Sequence, residues 1–185
     1  MPYPSALSIT PWIAPTAILI STSAASFFAY TAIKPNRQLT KKSSTMKFIM
    51  DRSRDETFFK SINVITKIDS DRSTDIRFYA DKNTLHDQIQ EEKDETKRNK
   101  LITEKEKHDS GIKCLTYLLN QYEYMAVGIK KEIYDEELLK DATKSSTVAA
   151  YKITKPFITA IRENLSSPRP TAYKEFEALS KRWGA

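Results

Sequence analysis

Residues 11–33 of this chain carry no charge, and the next seventeen carry Lys34, Arg37, Lys41, Lys42 and Lys47 without one acidic residue. A bilayer core of about 30 Å is crossed by roughly 20 mostly apolar residues in a helix, with Lys and Arg held on the cytoplasmic side. The pattern predicts a transmembrane anchor over 11–33, a basic juxtamembrane segment over 34–50 and a cytoplasmic domain over 51–185. Ile18, Leu19, Ile20, Phe27 and Phe28 supply the bulk of the span, and Trp12 and Tyr30 stand near its ends as interfacial aromatics do. The expected topology has the N-terminus outside and the domain inside. Two other readings compete: a cleaved signal peptide with small residues at Ala24-Ala25-Ser26, and a buried helix of a soluble fold. The first lacks a basic segment ahead of the run and has its charges on the wrong side.

The five cations of the collar explain most of the formal charge of +6. Beyond residue 50 the remaining 25 basic residues face all 24 acidic ones, so the domain is close to neutral. A juxtamembrane collar of this kind is drawn to anionic lipid headgroups at about 1 kcal/mol per charge. A nucleic-acid-binding domain would carry its basic stripe on the folded part, so nucleic acid is not expected as a partner. Cys114 is the single cysteine, which excludes an intramolecular disulfide and a Cys-rich metal site. The three glycines, Gly111, Gly128 and Gly184, form no phosphate-cradling loop. No cofactor, metal or enzymatic activity is expected.

After Pro35 the periodicity is helical and the class is all-α. Phe48, Ile49, Phe58, Phe59, Ile62, Ile65 and Ile68 recur three and four apart. The polar stretch 69–75 is a break with capping residues, and Ile76, Phe78, Tyr79, Leu85 and Ile89 resume the apolar face. From Gln90 to Lys100 nothing is apolar, which fits a solvated helix better than a mobile excursion. Asp109 or Ser110 is expected to cap the strongest helix, with the stripe Ile112, Leu115, Leu119, Tyr122, Ala126 and Ile129. Asp135 caps the next, with Glu136 and Glu137 at its positive end; that helix is expected to bend or restart near Pro156. After the 166–170 linker, a final helix from about Thr171 aligns Tyr173, Phe176, Leu179 and Trp183.

No catalytic constellation stands out. His86 and His108 are 22 residues apart in charged sequence and read as exposed helix histidines. Asp69, Asp71 and Asp75 lack the glycine and glutamate of a calcium loop and read as turn and cap residues. Cys114 reads as a small packing residue. Asn120, Glu123 and Tyr124 form a polar group off the apolar stripe, suited to hydrogen-bonding a neighbouring helix or, less simply, to lining a pocket or partner groove. Gly128 is expected to permit close approach of the Asp135 helix. Trp183, beside Lys181 and Arg182, is expected to pack on the core, with docking on a membrane surface as the other reading.

The segments Tyr117-Leu-Leu-Asn-Gln-Tyr-Glu-Tyr-Met-Ala-Val-Gly-Ile129 and Asp135-Glu-Glu-Leu-Leu139, with Arg162 and Phe176-Glu-Ala-Leu-Ser-Lys-Arg-Trp183, carry a resemblance. The chain resembles an uncharacterised bacterial and phage family, catalogued as a domain of unknown function, with one N-terminal transmembrane helix and a helical cytoplasmic domain. The likeness spans nearly the whole chain and departs from the pattern between Gln90 and Lys107. It implies a bacterial inner-membrane location and no established reaction. The phage and mobile-element settings of its members imply superinfection exclusion or anti-phage defence. The expectation is a membrane-anchored helical module that binds a protein partner or itself, with Asn120, Glu123, Tyr124, Arg162 and Trp183 as candidate partner or pocket residues. The alternative is a membrane-perturbing effector whose transmembrane helices oligomerise through Ser21 to Ser26.

Overall fold

The computed structural model describes residues 10–70, 75–81, 84–164 and 168–185, with the side chains of 10–17, 32 and 84 outside that description. It is helical, and no strand occurs among the described residues. Six α-helices run α1 Thr10–Ser53, α2 Glu56–Ser70, α3 Thr84–Glu91, α4 Glu95–Lys130, α5 Glu136–Glu163 and α6 Lys174–Gly184, with a 3₁₀ helix at Ile76–Ala80. The chain divides into two compact units, residues 1–43 and 44–185.

Within the first unit every side chain described from Ile18 to Leu39 is exposed, including Ile18, Leu19, Ile20, Phe27, Phe28 and Tyr30. Hydroxyls there turn back onto their own helix: Ser21 and Thr22 donate to the Ile18 carbonyl at 2.9 and 2.8 Å, and Thr31 to that of Phe28 at 3.0 Å. Among the described residues no helix is long and apolar enough to cross a membrane. The transmembrane helix expected over 11–33 is therefore not found there. Helix α1 covers 11–33 without a break, and the described side chains of that span begin at Ile18. Trp12 and the rest of the span's first turns have side chains outside the description. Of the collar, Lys34, Arg37, Lys42 and Lys47 are exposed and Lys41 is half-buried.

The second unit starts at Ser44, so residues 44–50, expected in the basic segment, belong to it. Thr45 is fully buried and Phe48 and Ile49 pack against the core. The Thr45 hydroxyl accepts the Asp135 backbone N–H at 2.7 Å, and Phe48 meets Tyr134 with ring centroids 5.0 Å apart. The core joins Phe58, Ile65 and Ile68 of α2, Leu115 to Ile129 of α4, Leu139 to Ile158 of α5, and Phe176, Leu179 and Trp183 of α6. The expected α4 stripe is buried at each of its six positions. Phe59, read with the α2 stripe, is instead 50% exposed, because Phe58 beside it occupies the core direction.

The cap expected at Asp109 or Ser110 does not exist: α4 is continuous from Glu95 to Lys130. Its cap is Asp94, whose carboxylate accepts from the Thr96 and Lys97 amides. The Lys105–Asp109 ion pair at 2.7 Å spans the expected boundary, one turn apart on the same helix. Asp135 caps α5 as expected, accepting from Leu138 N–H at 3.1 Å. Helix α5 runs through Pro156 without restarting. Asp75 caps the 3₁₀ helix through the Arg77 amide, while Asp71 lies outside the described residues.

Candidate functional site

Of the five residues singled out by sequence, Glu123, Arg162 and Trp183 meet at the seating of α6 rather than in a shared pocket. Tyr173 precedes α6 in the left-handed conformation, φ 56°, and offers no side-chain cap. Glu123 of α4 supplies the cap across space, its carboxylate accepting the Phe176 amide at 2.8 Å and the Glu175 amide at 3.3 Å. A carboxylate at these free N–H groups meets the positive end of the helix dipole. Arg162 of α5 donates to the Ala172 carbonyl at 2.7 and 3.0 Å and to Glu177 at 2.6 Å. The left-handed turn fixed by these bonds explains why α6 begins at Lys174 and not at Thr171.

Glu177 also receives Lys181. Hydrogen bonds from Lys181, then Arg162, hold its carboxyl far below the ordinary range, at about 2. Burial and the Glu177 hydrogen bond push the Tyr151 phenol up to about 12. At the other end of α6, Trp183 is 1% exposed and its indole donates to Glu136 at 2.9 Å, joined by Arg182 at 2.6 Å. Burial acts to raise the Glu136 carboxyl, yet these donors outweigh it and leave it lowered. Lys130 pairs with Glu175 at 2.6 Å. The two ion pairs flank a cleft of about 270 Å³ among α4, α5 and α6, lined by Ala126, Ile129, Ala178 and Leu179. Asn120 is half-buried and Tyr124 is 63% exposed, so neither completes a pocket with Trp183.

Sequence reasoning missed three polar groups. Arg52, in the last turn of α1, is 9% exposed and lies over the Phe58 ring at 4.0 Å and the Tyr122 ring at 4.3 Å. It donates to the Met125 sulfur at 3.6 Å and has no carboxylate partner among the described residues. Burial lowers its pKa, opposed by Tyr122. Asp55 receives the Tyr117 hydroxyl and caps α2 through the Phe58 amide at 3.0 Å; the Tyr117 bond lowers its pKa.

The third is His108, expected exposed but 3% exposed in the structure. Its Nε2 lies 3.0 Å from the Phe78 carbonyl and its ring stacks on Tyr79 at 5.3 Å. No sequence signal marked this, because its neighbours on the 3₁₀ helix lie thirty residues away. His86 is exposed as expected, 3.1 Å from the Gln90 amide. Beside Tyr79, a groove of about 450 Å³ opens between α2 and α4, lined by Val64, Lys67, Ile68, Lys107 and Gly111.

Chemically, the described carboxylates in these clusters are already engaged with cations or helix amides. No described group of three or more His, Cys, Asp or Glu residues could hold a metal ion. The arrangement is suited to holding α6 in place. A family model, Domain of unknown function (DUF4760), matches residues 19–183, and the chain belongs to that family. No curated protein and no solved structure matches it significantly.

Proposed function

We propose that this chain is a membrane-tethered helical interaction module, anchored through residues 11–33 and carrying its domain at the cytoplasmic face of a bacterial inner membrane. The observation that carries this reading is the uncharged run itself, followed by five cations and no acid. Support comes from the exposed Ile18, Leu19, Ile20, Phe27 and Phe28, large apolar side chains that water does not favour. The Ser21, Thr22 and Thr31 hydroxyls are satisfied by backbone carbonyls and need no water, which suits a helix in lipid. The anchor would concentrate the domain at the membrane, where its surface meets a protein partner or a second copy. Exclusion of infecting phage is the most concrete role for such a module.

The anchor is tested by alkaline extraction of membranes from bacteria making the full chain. Retention is expected for the natural chain and release for Ile20→Lys with Phe27→Lys, since a cation at mid-span costs about 3 kcal/mol. Release of the natural chain would end the anchor reading. Plating a phage panel on the same cells tests the role: protection that fails with the charged variant supports it. Full plaque counts on cells with confirmed expression would remove it.

A further inference from the structure

Helix α5 carries three lysines that no ion pair among the described residues uses, along a side where Val148 packs against the core. Lys144, Val148, Lys152, Lys155 and Thr159 follow at spacings of four, four, three and four, which places them along one side of the helix. The three lysines and Thr159 are exposed, and Val148 is half-buried. None of the three lysines forms an ion pair among the described residues. From Ala142 to Arg162 the helix contains no acidic residue; Asp141 and Glu163 mark the ends of that stretch. The helix cannot roll to hide this face, because Thr147, Tyr151, Thr154 and Ile158 are buried on the side toward the core.

We propose that this face of α5 rests on an anionic lipid surface, a contact separate from the collar and resting on the membrane-anchor reading. Each lysine within a Debye length of an anionic leaflet is attracted to it, and a tethered domain meets that leaflet at high effective concentration. Weak contacts by three lysines therefore suffice where they would not for a free protein. The exposed residues beside them, Ser145, Ala149, Pro156 and Thr159, are short, so the ammonium groups reach a flat surface first. Lipid is favoured over nucleic acid because the face has no Arg, Asn, Gln or aromatic residue to read bases or stack on them. Lysine, a strongly hydrated point charge, suits diffuse headgroup phosphate.

The test uses the full chain reconstituted in vesicles of phosphatidylcholine alone or mixed with phosphatidylglycerol. A fluorophore sits on Thr159→Cys, in a Cys114→Ser background, and is quenched by headgroup-labelled nitroxide lipid; a label at Thr103→Cys on α4 is the control. Quenching at position 159 is expected in anionic vesicles only, weaker at high salt. It should drop about tenfold when Lys144, Lys152 and Lys155 are all changed to Glu, and persist when all three become Arg. Equal quenching in neutral vesicles, or no response to the charge reversal, would overturn the proposal. So would lysine-dependent binding to a DNA duplex without vesicle quenching. Failure of the anchor reads differently: the chain would leave vesicles of either composition on alkaline washing, whereas failure of the α5 face would leave it anchored with no lysine-dependent quenching at position 159.

Discussion

Arg52 shows how a single residue can hold a helix to a core without an opposite charge. Its guanidinium exchanges water for two aromatic faces and a thioether, contacts worth about 2 kcal/mol when desolvated, against a comparable cost of burying the charge. We expect Arg52→Met to stay within about 1 kcal/mol of the natural chain and Arg52→Ala to lose about 2–4 kcal/mol through the cavity it leaves. Urea unfolding of both variants checks this, and a large loss in Arg52→Met would show that the charge itself matters. Gly111 makes a similar case in reverse, since a Cβ there would lie 2.3 Å from the Tyr79 ring. Gly111→Ala should cost about 1–3 kcal/mol by overpacking. In a Tyr79→Ala background the same change should stabilise by about 1 kcal/mol, the helix preference of alanine. A double-mutant cycle reads that change of sign. At this scale the sequence was least legible: Arg52 and His108 sit in strongly charged stretches, and it takes Tyr122 and Met125 for the one, Phe78 and Tyr79 for the other, to bring them out of water.

Helix α6 illustrates what is legible at the level of an element. Its apolar side was plain, and Phe176, Leu179 and Trp183 are buried as their spacing indicates. Its start was not, because the capping carboxylate is Glu123, some fifty residues earlier. Glu123→Ala should cost about 1–2 kcal/mol, the usual range for a lost cap, read by thermal unfolding; Glu123→Asp should not restore it if the shorter arm fails to reach the amides. The Glu177 carboxyl, near 2 in the fold, binds its proton more weakly there than in the unfolded chain. Its contribution is complete above the ordinary carboxylate range and fades as pH falls toward 2. The urea midpoint should therefore rise with pH across that acid window, and Glu177→Gln should flatten the rise. Helix α4 gave the opposite lesson: Asp109 and Ser110 looked like a cap, yet the helix starts from Asp94 within the polar stretch and the Lys105–Asp109 pair lies across the expected boundary.

For the whole molecule, the all-helical class and the buried stripes followed from periodicity, while the domain boundary did not. Charge marked residue 51, but the compact unit begins at Ser44, because Thr45, Phe48 and Arg52 all face inward on one side of α1. A chain starting at residue 44 should unfold cooperatively, whereas one starting at residue 54 should lose Thr45 and Arg52 and melt at least about 10 °C lower. Calorimetry of the two fragments distinguishes the boundaries. The cap that Glu123 lends to α6 also dictates an order of events. A helix of eleven residues is marginal alone in water, and this one has its initiation signal on another helix. Until α4 is formed and Glu123 is in position, the last segment has nothing to nucleate on, so α6 joins late. Slowing α4 should then delay α6, whereas damage to α6 should leave the earlier assembly of α4 with α2 at its normal rate.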